Sequence, residues 1–342
     1  MRTATQAGTT RLANGDVTMP AIVQDTYGTV AADVLRLEEV DVPAIGEGEV
    51  LVRVRAAGVD RGVWHLMAGL PYLARAIGFG LRRPKTPIPG TDVAGVVEAV
   101  GKDVTDFVPG DEVFGTAKGT YARYAVARAD RLLPKPATLT FEQAAAVPVS
   151  ATTALQAVRR AGVRPGDRVL ILGASGGVGS YAVQIAKAEG AEVTGVARTA
   201  KLDFVRAMGA DSVVDYTTGD PTDDGQRYDA IIDIGGNRRV AHLRRALAPK
   251  GRLVITGGEH GGPVLGGIER NLRAQLLSPF VGQKLGAFVA RQRRDDLAAV
   301  SELIGTGAVT PPVDRTYALG EAAAAIGYMA DGHAQGKVVI TV

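Results

Sequence analysis

Cysteine is absent from the 342 residues, which excludes disulfides, thiolate metal sites and cysteine nucleophiles. Histidine is scarce: His65, His242, His260 and His333 are scattered, with no spacing that pairs two of them as metal ligands. Aromatic residues make up only 5%, and no apolar run is long enough to span a bilayer, so no membrane partner is expected. Neither sign of charge dominates, since 39 Lys and Arg against 36 Asp and Glu leave a net +3. The local clusters Arg82, Arg83, Lys85 and Arg291, Arg293, Arg294 read as solvated surface. No nucleic-acid module accompanies them, so no nucleic-acid partner is expected. The N-terminal stretch lacks the apolar core of a secretory signal. Residues 1–20 read as a flexible leader, and the cytoplasm is the compartment that fits best.

Glycine is plentiful, at 44 residues, and 46% hydrophobic content provides an ample core. The length suggests two domains. Segments 49–59, 91–101, 111–115 and 120–127 alternate apolar and polar residues between Gly and Pro breaks, the pattern of short strands in a compact β barrel or sandwich. Residues 64–87 read as a helix and loop on its rim. From about Asp130 the pattern changes to strands alternating with helices. Strands are expected at 169–172, 192–197, 212–216, 229–234 and 252–257, with 285–290 as a possible sixth. Such alternation predicts a doubly wound parallel sheet with helices on both faces. The closing strand KVVITV has no helix after it and would most simply return to the first domain.

The run GASGGVG at 173–179 lies between a short apolar strand and a helix-spaced segment. Strand, glycine turn and helix form the context of a dinucleotide-binding turn. Without bulky Cβ atoms the backbone can approach a pyrophosphate, and the helix start offers it unpaired N–H groups.

With EVLVRVRAAGVD, PGTDVAGVVEAVG, GDEVFG, AAAVPVSATTALQAV and MGADSVVDY, this run makes the chain resemble the medium-chain dehydrogenase/reductase superfamily. Within it, the chain is most similar to the zinc-free quinone oxidoreductase and enoyl reductase branch. The resemblance implies a GroES-like β-barrel domain from residues 21–129 and 291–342. A Rossmann NADP-binding domain from 130–290 would leave the site in the cleft between them. Relatives also imply a homodimer that joins the edge strands of two Rossmann sheets, here residues 285–290.

The zinc alcohol dehydrogenases of the superfamily would carry a cysteine at Asp60 and a histidine at Thr91, together with a four-cysteine lobe that this chain cannot form. No metal is therefore expected. Without a Lewis acid, a simple ketone is poorly polarised. Quinones and α,β-unsaturated carbonyls spread the incoming charge themselves, so a small hydrophobic conjugated acceptor is the expected substrate.

By family register the fingerprint positions fall on Ala174, Gly176 and Gly179, with Ser175, Gly177 and Val178 in the same turn. An NAD site would place an acid after the second strand, but Arg198 and Lys201 stand there instead. Their charge suits a 2′-phosphate, so NADPH is the expected cofactor; the plain alternative is solvated cations at a helix start. Tyr216 matches a tyrosine placed near the adenosine phosphate. Ser150 and Thr153 should approach the nicotinamide ribose and phosphates. Gly235 and Gly257 should lie beneath the cofactor, although turn geometry alone would also account for them.

The resemblance marks Asp60, His65 and Tyr72 as the candidates nearest the chemistry. Asp60 takes a position often held by an asparagine that orients the nicotinamide ribose. His65 and Tyr72 fall at or near tyrosines facing the cleft, where either could donate a proton. A structural histidine beside a tryptophan, or protonation by solvent, remains the alternative. Asp92 reads as a turn brace with no chemistry of its own. Two further functions stay open: an NADP-linked alcohol or ketone oxidoreductase, and a nucleotide-binding protein with little catalysis.

Overall fold

The strand Glu49–Val59 is buried along almost its whole length, and three other strands pair with it. The computed structural model describes residues 15, 17–223, 225–236, 238–257 and 262–342. Most of the expected leader, and His260, lie outside them. In chain order the first seven strands are β1 (Thr18–Val23), β2 (Arg36–Asp41), β3 (Glu49–Val59), β4 (Asp92–Val100), β5 (Glu112–Thr116), β6 (Tyr124–Arg128) and β7 (Leu132–Pro134). A parallel set follows: β8 (Arg168–Leu172), β9 (Glu192–Ala197), β10 (Ser212–Asp215), β11 (Tyr228–Asp233), β12 (Leu247–Ile255) and β13 (Lys284–Ala287). The last two are β14 (Val313–Ala318) and β15 (Lys337–Thr341).

The barrel sheet runs β14-β15-β3-β4-β5-β7, with β6 also on β3. Antiparallel pairing of β15 with β3 carries the chain's C-terminal end back into this GroES-like domain. Its interior gathers Val50, Val52, Val54, Val93, Tyr121 and Ile340.

The second sheet runs β10-β9-β8-β11-β12-β13 and is parallel throughout. Strand order reverses between β8 and β11, the switch point at which a doubly wound sheet opens a crevice beyond its carboxyl ends. One core packs helix Pro148–Ala161 and helix Gly177–Ala188 against Val169, Ile171 and Ile232, while the other face buries Leu170, Ile231 and Leu253. Each such side chain contributes roughly 1.5–3 kcal/mol when fully withdrawn from water.

Pro148 sets a boundary. Helix Phe141–Ala145 starts at Thr140 with a reciprocal capping box to Gln143, and the next helix starts afresh at Pro148, where a missing N–H costs nothing. The sequence reading did not anticipate helix Ile268–Leu277. Only Ala274 is buried in it, so its apolar periodicity is faint.

Candidate active site

At the switch point the chain leaves β8 through Gly173, whose φ of 82° is open mainly to glycine. Helix Gly177–Ala188 then begins with Gly176 as an N-cap that makes no side-chain cap bond, so its first N–H groups face the crevice. A Cβ on Gly179 would lie 2.0 Å from the Gly173 carbonyl oxygen, and one on Gly257 would lie 1.8 Å from that of Ile234. Both glycines are packing necessities whatever binds above them. Gly177 is also tight, since a Cβ there would meet Lys337 Cδ at 3.0 Å and Ser150 Oγ at 3.1 Å.

The cleft above this turn has a volume of about 640 Å³. It brings together eleven of the residues singled out from sequence: Asp60, Ser150, Ser175, Gly176, Gly177, Val178, Arg198, Lys201, Tyr216, Gly235 and, at its floor, Gly173. Ala174 is fully buried behind the turn, with its N–H on Val196 O at 3.1 Å. Thr153 turns its hydroxyl back onto Val149 O at 2.7 Å within its own helix.

His65 and Tyr72 are not among the residues lining this cleft. His65 sits in helix Arg61–Ala68, edge-on to Trp64, with Nδ1 3.2 Å from Leu70 O. Tyr72 is half-exposed, with the Arg75 guanidinium 4.8 Å from its ring centre. Its backbone N–H donates to Pro263 O at 2.8 Å, across to the parallel-sheet domain.

Arg198 and Lys201 reach over one end of the crevice. Lys201 Nζ donates to Gly332 O at 2.9 Å and to Ala334 O, and Arg198 also donates to Gly332 O. These are backbone carbonyls of the barrel domain. Among the described residues neither cation has a carboxylate in salt-bridge range. Burial, followed by the neighbouring charge of Arg198, lowers the Lys201 ammonium to about 8.

A second polar cluster lies at the other end. Lys337 opens β15, is 1% exposed, and its Nζ lies 2.5 Å from Asp60 Oδ1, 3.2 Å from Asp92 Oδ2 and 3.3 Å from Val59 O. Ser150 Oγ donates to the same Asp60 oxygen at 3.0 Å, and Val149 N–H donates to Asp92 Oδ1 at 2.8 Å. Gly58 makes the room, because a Cβ there would stand 2.6 Å from Asp92 Oδ2. Burial alone would raise the Asp60 carboxyl, but the Lys337 charge and hydrogen bonds from Asp92, Lys337 and Ser150 hold it below its ordinary value. Burial and the adjacent Asp60 charge push the Asp92 carboxyl well up.

Sequence reasoning missed Lys337. The available signal was a lone lysine opening an otherwise apolar strand, directly after a glycine. It also missed Asp233 and Arg238, which line the cleft. The buried Asp233 carboxylate accepts from Gly236 N–H at 2.9 Å and pairs with Arg270, whose own pKa burial lowers to about 10.

A crevice of this shape at a parallel-sheet switch point, facing a GroES-like barrel, is that of a nicotinamide-dependent oxidoreductase. The comparisons agree. The zinc-binding dehydrogenase family matches residues 208–340, and the alcohol dehydrogenase GroES-like domain matches residues 46–137. A chloroplastic quinone-oxidoreductase QR1 of Triphysaria versicolor is 31% identical over 94% of this chain and 98% of its own. A chloroplastic NADPH-dependent alkenal/one oxidoreductase of Arabidopsis thaliana is 33% identical over 94% of this chain and 79% of its own. The structure of the quinone oxidoreductase from Coxiella burnetii superimposes with a TM-score of 0.81 at 27% identity, covering 95% of this chain and 99% of that one. The chain belongs to the medium-chain dehydrogenase/reductase superfamily, in its quinone oxidoreductase and enoyl reductase branch.

Proposed function

We propose that the protein is an NADPH-dependent reductase of quinones or of the C=C bond of α,β-unsaturated carbonyls, working without zinc. The observation that carries this reading is the pair Arg198 and Lys201, two cations at the adenosine end with backbone carbonyls as partners. A 2′-phosphate would supply the close anion that Lys201 lacks among the described residues, and its charge would add to that of Asp314 in raising the Lys201 pKa again. The crevice fits a dinucleotide elsewhere too. The uncapped helix start at Gly176 would hold the pyrophosphate, with Tyr216 beside the adenosine and Asp60, Ser150 and Lys337 at the nicotinamide ribose.

When bound, the reduced nicotinamide supplies a hydride to the conjugated acceptor. The chain's residues orient the ring, keep water from it and serve the proton that follows. His65 and Tyr72 remain the candidate proton donors, on the rim segment that starts at Asp60. His65→Phe and Tyr72→Phe turning over at the parent rate would remove both from the mechanism and leave solvent as the source.

Two features support zinc independence. Asp60 stands where the zinc enzymes carry a cysteine ligand, and its carboxylate is already held by an ammonium 2.5 Å away. A metal ion there would meet the Lys337 charge at close range. A homodimer formed through β13 and a cytoplasmic location belong to the same proposal. Among the described residues, no helix is long and apolar enough to cross a membrane.

The test is NADPH oxidation with a quinone, an enone and a simple ketone in parallel, with and without a chelator. Turnover of the first two, unaffected by chelation, is expected. Turnover confined to the ketone would favour the alcohol/ketone reading, and tight binding without turnover on any acceptor would favour the binding-protein reading.

A further inference from the structure

Lys337 and its two carboxylates form a charge cluster with an unbalanced sum. Asp60, Asp92 and Lys337 are 8%, 0% and 1% exposed, so solvent screens them little. With every group ionised the cluster carries one net negative charge inside the protein, a costly state. The hydrogen bonding is also short of a donor. Asp60 Oδ2 is buried and has no hydrogen-bond partner among the described residues. The two carboxyls also share one ammonium, Lys337 Nζ lying 2.5 Å from Asp60 Oδ1 and 3.2 Å from Asp92 Oδ2, so one of the two negative charges has no cation of its own, and a proton on that carboxyl would neutralise it.

We propose that Asp60, Lys337 and Asp92 act as one unit holding a single proton between the two carboxylates, and that its presence sets whether the cleft prefers the reduced or the oxidised nicotinamide. The second half rests on the proposed function, because it needs a nicotinamide at the Asp60 end of the cleft.

Asp92 is the carboxyl placed to carry the proton: it is fully buried and meets the ammonium at 3.2 Å, whereas Asp60 meets it at 2.5 Å and accepts from Ser150 as well, and burial beside the Asp60 charge pushes the Asp92 carboxyl up. Tyr121 and Tyr181, the other titratable groups that feel this pair, are raised well above their usual value by burial and then by the two aspartates, so they stay neutral. Their hydroxyls donate to Gly58 O and Ala146 O, away from the carboxylates. Protonated, the unit is neutral and suits the uncharged reduced ring. Deprotonated, it carries one negative charge and attracts the cationic oxidised ring. Raising the pH through the unit's titration therefore strengthens NADP⁺ binding relative to NADPH, and NADP⁺ binding releases the proton.

Two measurements test this, both on the full chain with Asp92→Asn and Asp60→Asn. Each variant keeps one carboxylate and Lys337, so it is neutral at every working pH and holds no shared proton. In infrared difference spectra at neutral pH, the parent protein is expected to show the C=O stretch of a buried protonated carboxyl, lost in both variants. No such band in the parent, or its survival in both variants, overturns the shared proton. In titrations with NADPH and NADP⁺, the affinity ratio of the parent should move about tenfold with pH, the reach of one charge across several ångströms of protein, and stay flat in the variants. A flat ratio in the parent overturns the nicotinamide half. Failure of the parent to bind either nucleotide would refute the reading of the site, while the infrared band would still decide the shared proton.

Discussion

Lys201 gives the sharpest prediction available from a single side chain. Replacing it with Met should raise the KM for NADPH by about ten- to a hundredfold, the size of a lost charge-assisted contact, with kcat little changed. NADH kinetics should hardly respond, since NADH lacks the 2′-phosphate. The ammonium is lowered to about 8, so its charge is lost as pH rises through that value. NADPH affinity in the parent should therefore fall above about pH 8, and the fall should vanish in Lys201→Met. The stability sign is opposite. Between about 8 and the ordinary lysine value the unfolded chain binds more protons than the folded one, so the Lys201 contribution makes the fold more stable as pH rises. At Gly179, a Cβ would sit 2.0 Å from a backbone oxygen that cannot retreat. Gly179→Ala should cost about 1–3 kcal/mol, read as a lower urea midpoint, even with no nucleotide present.

Among the elements, β13 tests the assembly. It is the last strand of the six-stranded sheet, and among the described residues it pairs only with β12. Phe288 N–H donates to Ile255 O, so by the two-residue period of a strand the Ala287 N–H points away from β12. An edge with outward N–H groups offers itself to a second copy. The chain should sediment as a dimer, and Ala287→Pro, which removes an outward donor and spares the β12 ladder, should give a monomer. A parent monomer at micromolar concentration would end that part of the proposal. Elements with strong periodicity were legible beforehand: 49–59 and 192–197 read as the strands later found there. Helix Ile268–Leu277 was not, because Leu272 and Leu276 face solvent and leave no apolar stripe to read.

At the scale of the whole molecule, the two domains are joined by hydrogen bonds in two separate places. Arg198 and Lys201 hold carbonyls of the 332–334 loop at the cleft, and Tyr72 and Leu73 N–H groups donate to Pro263 O and Val264 O outside the cleft lining. Local pattern revealed the parts of this arrangement and missed how they converge. The turn at 173–179 announces itself by its glycines, and Arg198 and Lys201 by the missing acid. Lys337 lies 277 residues from Asp60 in sequence, and only the return of β15 to β3 places its ammonium between two carboxylates. Pairings of that range follow from tertiary closure, which no window of sequence contains.

The proposed function stands or falls on whether Arg198 and Lys201 hold a 2′-phosphate. Its most direct test is the ratio of kcat/KM for NADPH to that for NADH, measured with one quinone acceptor at pH 7. The account predicts a preference for NADPH of at least about tenfold, carried by KM. Equal use of the two, or a preference for NADH, would contradict it.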